Sequence, residues 1–150
     1  MSIFHSMNIS SSALTAQRLR MDVVSSNIAN SESTRARVNE NGEWEPYRRK
    51  LVSFNSDGSS FKSHFNAARN NGIETSGVKA SVITEAQTPF KMVFNPNHPD
   101  ANETGYVQMP NVDPLQEMVD LMSATRSYEA NITALNASKG MLMKALEIGK

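Results

Sequence analysis

From Pro114 to about Ile148 apolar residues recur at alternating three- and four-residue steps, and no other feature limits the fold of this chain so strongly. The series Met118, Leu121, Thr125, Tyr128, Ile132, Leu135, Lys139, Leu142, Leu146 is apolar at seven of nine positions, which is the seam of an amphipathic helix. Asp113 suits the N-cap, Pro114 the first helical position and Gln116 the third, while Glu117 and Asp120 complement the positive start of the helix dipole. Leu115, Val119, Met122 and Met143 form a second stripe that widens the apolar face. Such a helix is about 50 Å long at 1.5 Å per residue. That is too long to lie across one compact domain, so it has to pack lengthwise against something.

The other end of the chain offers a partner. Residues 1–30 contain no proline or glycine, and Met7, Leu14, Met21 and Ile28 recur every seven residues. The companion positions are Ile3, Ser10, Gln17 and Val24, so a narrow helical seam is predicted here too. Ser11, Ser12, Thr15, Ser25 and Ser26 make the opposite surface small and polar, and weak helix propensity around Asn8–Ser12 predicts a cap or kink there. Between the two ends lies a stretch holding five of the six prolines. It reads as β and loop, with strands expected at Tyr47 to Phe54, Val78 to Glu85, Phe90 to Phe94 and Tyr106 to Met109. Asn95 to Asp100 is dense in turn formers and predicts an irregular loop, and Asn55 to Gly77, rich in Ser, Asn and Gly, reads as a mobile insertion. The expected fold class is α+β. It divides into an N-terminal helix (1–34), a β-rich middle domain (35–111) with the insertion at 55–77, and a C-terminal helix (112–150).

Several chemistries lose their footing on composition. The 15 basic and 15 acidic side chains cancel, which argues against a nucleic-acid binder. There is no cysteine, which removes disulfides, thiolate catalysis and cysteine-based zinc sites. Mean hydropathy is −0.45 and no apolar run approaches the roughly 20 residues of a membrane span. His5, His64 and His98 lie in three different zones without the spacing of a metal pair. No phosphate-cradling glycine loop, nucleophile elbow or paired carboxylate in an apolar setting occurs. No catalytic residue, metal or cofactor is expected. Arg48, Arg49 and Lys50 beside Tyr47 form the only basic run, with Arg35 and Arg37 nearby and Glu40, Glu43 and Glu45 against them. A solvated strand edge, or a contact with an acidic protein surface, accounts for them. Glycosylation sequons such as those at Asn8, Asn102 and Asn131 read as chance. Nine Met against one Trp suit adaptable helix–helix contacts.

Several segments carry a resemblance. Leu14-Thr15-Ala16-Gln17-Arg18-Leu19-Arg20-Met21-Asp22 and Ser26-Asn27-Ile28-Ala29-Asn30 resemble the N-terminal signature of the bacterial flagellar rod and hook axial proteins. Pro46-Tyr47-Arg48-Arg49-Lys50, the Asn95 to Asn102 loop, Gly105 to Val112 and Met122 to Asn131 are similar to proximal-rod members of that family. After Asn30 the chain departs from the frequent Thr-x-Gly-Tyr continuation and reads Ser31-Glu32-Ser33-Thr34-Arg35.

The resemblance implies a structural subunit of the flagellar basal-body rod and not an enzyme. Its terminal helices would form a coiled-coil layer and polymerise into the tubular drive shaft that transmits torque and encloses the export channel. The residues expected to carry subunit and helix packing are Met7, Leu14, Met21, Val24, Ile28, Met118, Leu121, Tyr128, Ile132, Leu135, Leu142 and Leu146. Implied partners are further copies, other rod proteins, the membrane-ring/export-gate junction at the rod base and the flagellar type III export apparatus. No nucleic acid and no direct membrane insertion are implied. The implied location is the rod, across the periplasm. Export without a cleaved signal fits Met1-Ser2-Ile3-Phe4, which lacks a basic n-region. From the residues alone, a soluble coiled-coil adaptor or export chaperone with a peptide-binding β module is the alternative.

Overall fold

The computed structural model describes residues 4–40, 42–56, 65, 68–69 and 77–149. Most of the insertion expected at 55–77 lies outside the described residues. Among the described residues two long helices, α1 (His5–Ala29) and α2 (Pro114–Ile148), flank six short strands, β1 (Arg37–Val38), β2 (Trp44–Glu45), β3 (Lys50–Ser56), β4 (Val78–Glu85), β5 (Lys91–Phe94) and β6 (Tyr106–Met109). Among the described residues the strands form three two-stranded sheets, β1–β2, β3–β4 and β5–β6. The fold is α+β, with the terminal helices packed together and small sheets between them in sequence.

The start of α2 is built as its sequence dictates. The Asp113 carboxylate accepts the Leu115 amide at 3.1 Å, Pro114 takes the first turn, and the Glu117 amide closes on the Asp113 carbonyl at 3.0 Å. In α1 the cap or kink expected around Asn8–Ser12 is replaced by continuous helix from His5. The hydroxyls responsible for the weak propensity turn back on the helix itself. Ser12 Oγ donates to the Ile9 carbonyl at 2.8 Å and Thr15 Oγ1 to the Ser11 carbonyl at 3.1 Å.

The β1–β2 hairpin was not anticipated. Its register pairs Arg37 with Glu45 and Val38 with Trp44, antiparallel. Its turn contains Gly42 at φ +83°, a backbone conformation that costs little only for glycine. The β5–β6 pair is antiparallel with Lys91 opposite Met109 and Phe94 opposite Tyr106, whose rings meet edge to face at 5.3 Å.

Contacts within the chain fall into two compact units, one of residues 22–52 and 83–122, the other of residues 1–21, 53–82 and 123–150. In the first, Val23, Val24, Tyr47, Ala86, Val107 and Val112 are buried, as are Asn27 and Glu117. In the second, Ala16 and Ala124 are buried, and Arg20 lies 5.3 Å over the Phe54 ring. There Val78 donates its amide to Ser12 Oγ at 3.1 Å, and a Cβ at Gly77 would sit 2.5 Å from that oxygen, so a side chain there would push the Ser12 hydroxyl off this bond.

Candidate functional site

The described residues present no reaction centre. No group of three or more His, Cys, Asp or Glu among them could hold a metal ion. An open groove of about 500 Å³ beside the β1–β2 hairpin is lined by Thr34, Trp44, Glu45, Asp100 and Tyr106 among others. At its margin Asp100 accepts hydrogen bonds from Arg35 Nε at 2.7 Å and Thr34 Oγ1 at 2.8 Å. These bonds, Arg35 first, hold the Asp100 carboxyl below the ordinary carboxylate range. The chemistry of the groove is structural: it ties the chain leaving α1 to the Asn95–Asp100 loop.

The most constrained polar group lies where the end of α1, the start of β3 and the first turn of α2 meet. Asn27 is 1% exposed and uses its whole amide. Nδ2 donates to the Lys50 carbonyl and to Glu117 Oε2, both at 2.9 Å, while Oδ1 accepts from the Tyr47 hydroxyl at 3.0 Å and the Lys50 amide at 2.9 Å. Glu117 is 0% exposed; its other oxygen takes the Arg49 Nε at 2.5 Å, and Arg49 Nη2 reaches Asp120 at 3.2 Å. The Arg49 amide donates to Asn111 Oδ1 at 2.8 Å, and Asn111 Nδ2 donates to Thr88 Oγ1 at 2.8 Å. Each charged group in the cluster has a partner of opposite sign, with Arg49 shared between two carboxylates.

Several of these residues were read from sequence for other reasons. The sequence alone puts Arg49 at a solvated strand edge or against an acidic protein surface; the structure pairs it with acids of its own α2. Glu117 stands in the first turn of α2, where the sequence puts it as a complement to the helix dipole, and it is in addition a buried ion-pair partner. Asn27 lies in the Ser26–Asn30 box, and the same box closes α1, because Asn30 Nδ2 donates to the Ser26 carbonyl at 2.9 Å and Ser31 Oγ to the Ile28 carbonyl at 2.8 Å. An unbroken run of small polar residues at the end of an apolar seam was the available signal.

The twelve residues expected to carry packing divide by exposure. Val24 is buried, and Met7, Leu14, Met21, Ile28, Leu121, Tyr128, Leu135 and Leu142 are half-buried. Met118, Ile132 and Leu146 are exposed. On α2 the less exposed positions are Glu117, Asp120, Leu121, Ala124, Ser127, Tyr128, Asn131, Leu135, Ser138 and Leu142. The two helices touch at Thr125 Oγ1, which donates to Met21 Sδ at 3.6 Å, and at Asn27 with Glu117, the order of an antiparallel pair. Opposite that face Leu115 is 73% exposed and Met118 51%, with Val119 and Met122 beside them, one turn apart along α2.

Comparison with known proteins follows the same two ends of the chain. Residues 7–37 match the family described as Flagella basal body rod protein, and residues 103–148 match that described as Flagellar basal body rod FlgEFG protein C-terminal. The chain is 64% identical to the flagellar basal-body rod protein FlgC of Bacillus subtilis over the full length of both. It is 41% identical to FlgC of Salmonella typhimurium, again over both full lengths, and 41% identical to FlgC of Borreliella burgdorferi over 99% of this chain and 98% of the relative.

Proposed function

The chain belongs to the family of the flagellar basal-body rod protein FlgC, and from that premise we propose how it builds the rod. It is a non-enzymatic structural subunit of the flagellar basal-body rod and assembles with other rod proteins. No described helix is long and apolar enough to cross a membrane. In our reading, segments 1–34 and 112–150 are the assembling layer, and 35–111 is an outer domain that braces them. The half-buried seam residues Met7, Leu14, Met21, Ile28, Leu121, Tyr128, Leu135 and Leu142, with buried Val24, hold the helix pair, while Met118, Ile132 and Leu146 face neighbouring subunits.

The observation that supports this is the outward stripe of Leu115, Met118, Val119 and Met122 on α2. Residues three and four apart on a helix form one continuous patch, and an apolar patch left open in the single chain is an interaction surface. Polymerised, such subunits form the tube that transmits torque and encloses the export channel. The subunit meets further copies, other rod proteins and the membrane-ring/export-gate junction at the rod base. It reaches the periplasm through the flagellar type III apparatus, without a cleaved signal. Full-length identity to rod proteins weighs against the adaptor or chaperone alternative.

The test is complementation in Bacillus subtilis lacking its own FlgC, with a tag on this chain. Restored swarming, and tag density in the rod of isolated basal bodies, are expected. A chain that stays in the cell as a small fixed oligomer while rods fail to form would refute the assembly reading.

A further inference from the structure

We propose that Asn27, Glu117 and Arg49 set the register of the two terminal helices, and that the apolar seams do not. The seams repeat. Met7, Leu14, Met21 and Ile28 on α1, and Leu121, Tyr128, Leu135 and Leu142 on α2, recur every seven residues. A slip of one heptad therefore returns large apolar groups to large apolar groups, and hydrophobic burial barely distinguishes the slipped pair from the native one. The companion positions on the less exposed face of α2, Ala124, Asn131 and Ser138, are small and add little steric keying.

The polar cluster does not repeat. Asn27 fills two donors and two acceptors at once, and each partner has one geometry. A one-heptad slip separates Asn27 from Glu117, leaving a buried carboxylate oxygen and a buried amide hydrogen each short of a partner. Unmatched buried polar groups are strongly disfavoured, whereas the same cluster fully satisfied adds little net stability over an apolar filling. A single buried polar contact selecting one register of a repetitive helix pair is the best-attested use of such groups.

The charge that completes the cluster comes from outside both helices. Arg49 immediately precedes β3, its amide fixed by Asn111, and the Lys50 peptide supplies two of the four bonds to Asn27. The helix pair consequently reaches its register only when the β3 segment has docked. This goes beyond the rod reading, since it concerns how one chain orders itself before any neighbour is met.

The chain has no cysteine, so engineered pairs report cleanly. Full-length protein carries either Met21→Cys with Thr125→Cys, the native contact, or Leu14→Cys with Thr125→Cys, one heptad away. Each pair is oxidised by dissolved oxygen with copper phenanthroline, in buffer containing trimethylamine N-oxide, which favours the compact state, and the intramolecular crosslink is measured on a gel. With the cluster intact the native pair should crosslink about tenfold more than the slipped pair, or better. With Asn27→Leu, Arg49→Met and Glu117→Leu together, helicity should persist and the ratio should fall toward one. A ratio unchanged in that variant overturns the proposal. If the triple variant loses its helix, Asn27→Ala, which leaves Arg49 and Glu117 paired, decides: a fallen ratio supports the register role, and an unchanged ratio overturns it.

Discussion

Asn27 is a small side chain that four groups depend on, so its loss differs from the loss of an ordinary surface amide. In Asn27→Ala the Lys50 peptide and Glu117 Oε2 keep their burial and lose their partner. An expected loss of about 2–4 kcal/mol follows from the penalty for unsatisfied buried groups. It would appear as a lowered urea midpoint with unchanged slope. Asn131→Ala is the contrast, because Asn131 Nδ2 only returns to the Ser127 carbonyl of its own helix; its change should stay within about 1 kcal/mol. A second residue-scale expectation concerns acid. Asp100 is held below its ordinary value of 3.8 by Arg35 and then Thr34. A carboxylate whose folded value is depressed contributes stability above its unfolded value and loses it as pH falls through the lower folded value. The tie between the α1 exit and the Asn95–Asp100 loop should therefore persist at pH 4 and release only in stronger acid. A carbon-detected NMR titration of Asp100 should give a midpoint below 3.8, and Arg35→Ala should move it upward. An unmoved midpoint would assign the shift to something other than Arg35.

Elements whose ends are marked by local chemistry were legible in the sequence, and those marked by partnership were not. The bounds of α2 were readable because Asp113 and Pro114 start a helix by backbone rules that need no tertiary partner. Strands β4 and β6 sit where alternation and turn residues put them. The β1–β2 hairpin escaped because its strands are two residues each, too short for any alternation, although the Asn41-Gly42 dipeptide between Val38 and Trp44 is a hairpin signal. The phase of α2 was only half readable. Leu121, Tyr128, Leu135 and Leu142 lie on the less exposed face, but their companions there are Glu117, Ala124, Asn131 and Ser138, which no hydrophobic pattern selects over Met118 and Ile132. The polar cluster was hidden for the same reason, since Arg49 and Glu117 look solvated until the chain brings them together. Burial also grades along α2. Met141, Met143, Leu146 and Ile148 are exposed, Leu146 by 75%, and helix without tertiary cover is marginal in water. In dilute isolated chain the amides of residues 139–148 should exchange with deuterium far faster than those of 117–128, and circular dichroism should show less helix than the assembled form. Equal protection along the helix would mean that α2 needs no neighbour.

At the scale of the whole molecule, one helix serves two kinds of contact, and substitutions can separate them. Leu135 lies on the half-buried face, so Leu135→Asp partly desolvates a carboxylate and should destabilise the chain itself by about 1–3 kcal/mol. Its loss of motility would be expected from folding alone. Val119 and Met122 are about half exposed or more, and a surface change there is usually within about 0.5 kcal/mol. Val119→Lys with Met122→Lys should leave the urea midpoint of the purified chain nearly unchanged. In an assembly the same two lysines would enter an apolar contact in every subunit, where unpaired charge is strongly opposed. The expected outcome is a chain that is made and folds normally, yet supports no swarming and is missing from isolated rods. Blotting of cell and culture fractions distinguishes failed export from failed assembly, because an assembly defect should leave exported chain outside the rod. Full motility of the double lysine variant at normal protein levels would show that the outward stripe of α2 is not an assembly surface. Loss of both stability and motility would instead place these side chains in the packing of the single chain, against the exposure the structure gives them.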